Sequence, residues 1–218
     1  PPHRPRAVPP VARAAAFGSV AAAFDVADQL GLVPLVEAQL PKRDQGLSPG
    51  QYLLLAAINR AVQPTSKAQL AHWYQGTILP RLVPAAPAQL CSQSFWNHFH
   101  TVTAQDITAI EDQLSRRLIQ HFQLNLRTLV YDGTNFFTYI NTRTDATLPA
   151  RGHNKQKRGD LRQVSLGMLV STDFHVPLFH QVYAGNVNDS TQFQSVTEEL
   201  RTRYVQLAQR CEHLTLIF

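Results

Sequence analysis

Leu126-Arg127-Thr128-Leu129-Val130-Tyr131-Asp132 is the stretch on which the fold turns. Upstream of Leu124 apolar residues recur at helical spacing; here they crowd together and end on an acid, the pattern of a strand. Asn135 to Asn141 is expected to form a second strand after a Gly133-Thr134 turn. Gln163 to Ser171 and His175 to Tyr183, rich in Val, Leu, Phe and Tyr, follow as a pair around Thr172-Asp173. Asp189 or Ser190 can then cap a helix with Phe193, Val196, Leu200, Tyr204 and Leu207 on one stripe. Leu214 to Phe218 has the pattern of a buried strand. The order is strands, helix, strand, and a sequence stopping on an apolar strand is expected to be a cut rather than a natural end.

Working outward toward the start, residues 18–123 are expected to be all-helical. Val20, Ala23, Phe24, Ala27 and Leu30 share a helical face, and Gly31 can close that helix. Ser48-Pro49-Gly50-Gln51 is a helix start: Ser48 caps free N–H groups, Pro49 sits where no donor is needed, and Gln51 completes a capping box. Ser66 with Gln69 is expected to repeat that device before Leu70, Trp73 and Tyr74. A segment from Ser94 to Thr101 carries Phe95, Trp96 and Phe99, and the last helix carries Ile107, Ile110, Leu114, Leu118 and Phe122 as a core stripe. Residues 1–17, with five prolines between arginines, read as a flexible arm. The architecture expected is therefore α followed by α/β: arm 1–17, helical region 18–123, and an incomplete mixed sheet with a helix over 124–218.

The 218 residues are 44% hydrophobic, enough for a folded core. Apolar runs such as Leu53 to Ile58 are too short to span a bilayer, so no membrane partner is expected. Cys91 and Cys211 make neither a disulfide framework nor a zinc pattern, and no signal-peptide core is visible, which together suggest a reducing cytoplasm. The net charge of +5 and pI near 9.5 favour polyanionic partners. Most of the excess lies between Arg151 and Arg162, where Arg151, Lys155, Lys157, Arg158 and Arg162 face only Asp160. That run reads either as a solvated charged loop or as a phosphate-binding one.

Asp132 closes an apolar strand, where a carboxylate is rigidly placed for a hard cation such as Mg2+. Phosphodiester chemistry with two metals needs more than one carboxylate. The same Asp132-Gly133 pair can equally start a tight hairpin. Gly185-Asn186-Val187-Asn188-Asp189 reads as a turn and helix cap, or as a loop presenting N–H groups to phosphate. His98 and His100, two apart, cannot share an ion on one helix face; His153 can touch phosphate, and His175 and His180 read as ordinary strand residues. Trp73, Trp96 and the phenylalanines are expected in the core.

In order, Tyr131-Asp132-Gly133-Thr134-Asn135-Phe136-Phe137, Gly152-His153-Asn154-Lys155-Gln156-Lys157-Arg158-Gly159-Asp160, Leu161-Arg162-Gln163-Val164 and Ala184-Gly185-Asn186-Val187-Asn188-Asp189 resemble the bacterial insertion-sequence transposases of the DDE class, the IS-four-like group. Asn59-Arg60 followed by Pro64-Thr65-Ser66-Lys67 resembles the leading region of the same proteins, which implies that the helical region 18–123 is DNA-binding and recognises transposon ends. The resemblance spans roughly residues 20–218 and is strongest between Val130 and Phe193. It implies a ribonuclease-H-like catalytic core, with a first Asp on the first strand, a hairpin, a helix and a fourth strand. By resemblance Asp132 is the catalytic and metal-binding carboxylate. The second Asp is expected at or just past the last residue and the Glu far beyond it, so this piece is expected to be inactive alone.

In the complete protein two Mg2+ or Mn2+ ions would activate water or a DNA 3′-hydroxyl and stabilise the leaving oxygen. Lys155, Lys157, Arg158 and Arg162 would hold the DNA backbone. The implied partners are double-stranded DNA, as transposon ends and target, and a second copy of the chain in a homodimer. Two alternatives stay open: a non-catalytic DNA-binding or interaction protein from a truncated transposase gene, and a different nuclease of the same fold.

Overall fold

The computed structural model describes residues 15–42, 46–140, 145–154, 156–187, 193–195, 197–199 and 213–217. The chain forms two compact units, Pro1–Ile110 and Glu111–Phe218. Among the described residues no single helix is long and apolar enough to cross a membrane.

The first unit is helical: α1 (Gly18–Gln29), α2 (Leu32–Gln39), α3 (Pro49–Val62), α4 (Leu70–Gln75), α5 (Leu79–Leu82), a 3-10 turn at Pro87–Leu90, and α6 (Ser92–Phe99). Gly31, at φ 60°, ends α1 in the left-handed conformation that suits glycine. The Ser48 box forms as expected: Gln51 N–H donates to Ser48 Oγ (3.1 Å) and Ser48 N–H to Gln51 Oε1 (2.9 Å). The second box does not form. Gln69 N–H donates to the Ser66 backbone carbonyl, and α4 starts without a side-chain cap.

Val20, Tyr52, Leu55, Ile58, Trp73, Tyr74, Leu79, Leu90 and Phe95 belong to one buried cluster. Its phenols are satisfied, since Tyr52 donates to Gln89 O (2.7 Å) and Tyr74 to Val83 O (2.7 Å) while accepting from Ala85 N–H (3.0 Å). Buried Asn59 donates to Gln63 O and accepts from both Thr65 N–H and Thr65 Oγ1. That fixes the turn out of α3.

The unit boundary falls inside α7 (Ala104–Phe122), upstream of the helix-to-strand change that the sequence marks near residue 123. Of the expected apolar stripe, Ile110, Leu114 and Leu118 are half-buried while Ile107 and Phe122 at its ends are exposed; Ser115 is buried and Ile119 joins the second core. The face of α7 through Glu111, Ser115 and Ile119 meets the sheet instead.

That sheet has four strands in the order β3-β2-β1-β4, with β1 Thr128–Thr138, β2 Arg162–Ser171, β3 Pro177–Ala184 and β4 His213–Ile217. β1 pairs antiparallel with β2 from Leu129↔Ser171 to Thr138↔Arg162, and β2 pairs antiparallel with β3. β4 runs parallel to β1, from Thr128↔His213 to Asp132↔Ile217. The expected Gly133-Thr134 turn is absent. Gly133 pairs with Gly167 within one continuous 11-residue strand, because the long partner β2 supplies hydrogen bonds on both sides of that position.

The β2–β3 turn is wider than Thr172-Asp173. Phe174 and His175 adopt φ 58° and 52°, so His175 belongs to the turn and not to a strand. Ser171 Oγ ties that turn by donating to Asp173 O and accepting from Val176 N–H. β3 is the outer strand, and its free edge is covered from α7: Ser115 Oγ donates to Leu178 O (2.7 Å) and His180 N–H to Glu111 Oε1 (2.8 Å). A covered edge cannot template pairing with another chain.

Candidate nucleic-acid interface

Strand periodicity sorts the second unit into two faces. Leu129, Tyr131, Gln163, Ser165, Leu169, Ser171, Phe179 and Tyr183 lie on the buried face. Asp132 lies on the other face with Thr134 and Phe136, beside Met168 of β2 and in register with Ile217 of β4. Its carboxylate is exposed and, among the described residues, has no hydrogen-bond or ion-pair partner. Asp132 thus stands mid-strand and not at a strand tip.

A divalent ion at Asp132 would take one oxygen ligand from it. Among the described residues no group of three or more His, Cys, Asp or Glu side chains could hold a metal ion. The described residues therefore do not fit a two-metal centre by themselves. The His98 ring lies partly buried 4.4 Å from the Tyr52 ring, while His100 is exposed.

The basic run forms a built loop, although Lys155 lies outside the described residues. Asn154 is its keystone: it is buried, its amide donates to Gly152 O (3.3 Å) and Arg158 O (3.2 Å), and its Oδ1 accepts from Arg158 N–H (2.9 Å). Lys157 sits at φ 55° within that turn and is exposed. Arg158 is exposed and grips Asp160 through Nε→Oδ1 and Nη2→Oδ2, both 2.8 Å. These bonds hold the Asp160 carboxyl down at about 2. Arg158 therefore offers less free charge than the sequence suggests. Arg162 opens β2 opposite Thr138.

Two motifs that look separate in sequence meet at Gln163. Its side chain is only 1% exposed, and its Nε2 donates to Gly185 O (2.7 Å) and His153 O (3.0 Å). Ala150 and Gln163 also exchange backbone hydrogen bonds (3.0 and 2.8 Å). Gly152 packs so closely that a Cβ there would lie 1.9 Å from Gly185 O. The basic loop is thus docked on the Gly185-Asn186 turn; Asn188, Asp189 and the cap expected from Asp189 or Ser190 lie outside the described residues. His153 contributes its carbonyl to this joint.

Asp132 and Arg162 share a sheet face but not a locality. Arg162 pairs with Thr138, six positions from Asp132 along β1. At roughly 3.4 Å per residue that separates them by about 20 Å.

Two features escape a reading of the sequence. Trp96, expected in the core, is 59% exposed with Lys67 Nζ 4.6 Å from its ring centroid. His180, expected to be an ordinary strand residue, donates from Nδ1 to Glu111 Oε1. No local pattern marks either one, since each depends on a partner far away in the chain.

No family model matches the chain, and no curated protein matches it. Among solved structures, the chain is similar to a Mos1 transposase paired-end complex with left transposon end, at 10% identity and a TM-score of 0.23 over 76% of this chain and 51% of that one. It is also similar to a pre-cleavage Mos1 transpososome (12%, TM-score 0.22, 78% and 52%) and a Mos1 mariner paired end complex with Mn (12%, 0.23, 76% and 51%). The chain spans about half the length of these proteins. Likeness of that degree assigns no residue and no ligand to this chain.

Proposed function

We propose that this chain is part of a DDE-class DNA transposase whose first metal-binding carboxylate is Asp132. The observation that carries the proposal is the strand arrangement. An antiparallel β1-β2-β3 set is followed by a β4 that returns parallel beside β1 and ends its pairing opposite Asp132. The ribonuclease-H-like core implied by the sequence motifs has that connectivity, with its first Asp on its first strand. A parallel neighbour lies about 4.8 Å away, so the continuation of β4 is the natural source of a second carboxylate.

The basic loop supports DNA as the partner. It presents Arg151, Lys157 and Arg162 from a hydrogen-bonded scaffold, which favours a fixed phosphate contact over a freely solvated loop. In this reading Mg2+ or Mn2+ is held by the complete protein, since among the described residues no group of three or more His, Cys, Asp or Glu side chains could hold a metal ion.

The test is to read the coding frame beyond the Phe218 codon and assay the full product on duplex DNA with Mg2+. An Asp within a few codons, a distant Glu, and strand cleavage abolished by Asp132→Ala are the expected result. Cleavage that survives Asp132→Ala would overturn the proposal. A frame that stops there would move the function to a non-catalytic DNA-binding product.

A further inference from the structure

We infer that Asp160 is a built-in competitor for the phosphate that Arg158 would take, so that the basic loop carries its own autoinhibitory contact. The inference rests on the proposed reading of residues 151–162 as a contact for the DNA backbone and adds how that contact is regulated.

The pair has the geometry of ligand recognition. Arg158 donates from Nε to Asp160 Oδ1 and from Nη2 to Asp160 Oδ2, both at 2.8 Å. A guanidinium presents those two N–H groups in one plane, and a carboxylate and a phosphate each offer two oxygens that match them. The fork accepts one such partner at a time. Arg158 is thus occupied, by a group two residues away, before any DNA arrives.

The contact is also placed to be exchanged. The two side chains are 49% and 61% exposed, and an ion pair in water holds only weakly. A Cβ at Gly159, between them, would meet nothing within 4 Å, which leaves room for a phosphate backbone to approach. The loop does not depend on the pair for its shape. Asn154 accepts from Arg158 N–H (2.9 Å) and donates to Arg158 O (3.2 Å), so Arg158 can change acceptors by turning its side chain alone. Arg151 also lowers the Asp160 pKa, and that cation remains near the carboxylate once the fork has left. The freed carboxylate then stands beside the phosphate that displaced it. Asp160 therefore opposes binding twice, by filling the fork beforehand and by repelling the phosphate afterwards.

The experiment is fluorescence anisotropy of a labelled duplex with the 218-residue chain, in salt from about 50 to about 200 mM, where phosphate contacts dominate the dependence. Asp160→Asn keeps the size of the side chain and removes its charge. It is expected to bind about fivefold tighter, the weight of one unit charge a few ångströms from a phosphate in water. The log–log salt slope should steepen by about 0.9, one further phosphate contact. In an Arg158→Gln background the same substitution is expected to leave the slope unchanged, because no fork remains to be freed. Equal gains in both backgrounds would mark a general charge effect and overturn the inference. Weaker binding by Asp160→Asn would make Asp160 a positioning residue for the fork and overturn it too. If Asp160→Asn raises hydrogen exchange at Arg158 N–H, the loop itself is disturbed and a carboxyl NMR titration of the parent decides. The Asp160 pKa is expected to rise from about 2 toward 3.8 when duplex is bound, and a value that stays near 2 would overturn the exchange. Parental affinity in a Lys157→Gln, Arg162→Gln double variant would sink the loop reading and this inference with it. A weakened double variant beside an inert Asp160→Asn would sink the inference alone.

Discussion

Gln163→Leu removes the joint between the basic loop and the Gly185-Asn186 turn while preserving side-chain volume. Two hydrogen bonds from Nε2, to Gly185 O at 2.7 Å and His153 O at 3.0 Å, are lost together. Gly185 is buried, so its carbonyl loses a partner that water cannot easily replace, costing about 1–3 kcal/mol. His153 is exposed and can turn to solvent, so that bond contributes about 0.5–1 kcal/mol. Gln163 Oε1 is itself buried without a partner, and its removal returns about 1 kcal/mol. The net expectation is a loss of about 0.5–3 kcal/mol in urea unfolding of the second unit. Hydrogen exchange should rise at Lys157 and Arg158 N–H, which bond within the loop, and duplex affinity should fall with it. Unchanged stability, exchange and affinity in Gln163→Leu would refute the reasoning that this side chain positions the loop.

Ser48→Ala should destabilise the first unit by about 1 kcal/mol, since it breaks a complete capping box, and a neutral urea midpoint would count against that box. Ser115→Ala should cost about 1 kcal/mol by leaving Leu178 O on the β3 edge without its donor, measured by the same unfolding experiment. Asp160 should titrate near 2 by carboxyl NMR, and Arg158→Gln should move it back toward 3.8. Its folded pKa lies below the ordinary value, so whatever the ion pair contributes is complete above about pH 4 and is lost as pH falls toward 2. Asp132→Ala should leave stability within about 0.5 kcal/mol, as expected of an exposed side chain without a partner; a large loss would reveal a structural role.

What was legible in the sequence was local. The Ser48 box depends on residues three apart, and Gly31 ends α1 through its own backbone angle. The β2 strand shows itself by composition over adjacent positions. What was not legible depended on distant partners. Gly133-Thr134 has turn chemistry, but ten consecutive pairs with β2 keep β1 extended through it. Ser66 has cap chemistry, but Gln69 bonds to its carbonyl instead. The stripe on α7 suggested an apolar face, yet the sheet edge beside it demands polar groups, and Glu111 and Ser115 supply them. Trp96 is adjacent to Phe95 in an apolar-looking segment, and only the docking of Phe95 against Tyr52 determines which of the two is buried.

The spacing between Asp132 and the basic loop limits what the loop can do. Six residues along β1, about 20 Å, is close to the length of six nucleotides of one strand at about 3.4 Å each. Screening by salt reduces the influence of a charge beyond about 10 Å at 0.1 M. In the proposed reading Arg162, six pairs along the sheet, would therefore contribute little to charge developing at Asp132. The two remain on the same sheet face, however, so one DNA strand lying along that face can reach both. Under the proposed function, Arg162 is expected to act on affinity and on the register of the duplex rather than on the chemical step, and Lys157 with it. Their removal should weaken DNA binding and flatten its salt dependence, while the rate of cleavage at saturating DNA in the complete protein stays near that of the parent. A large fall in that saturated rate would place the loop next to the reacting phosphate and contradict the register read from β1 and β2.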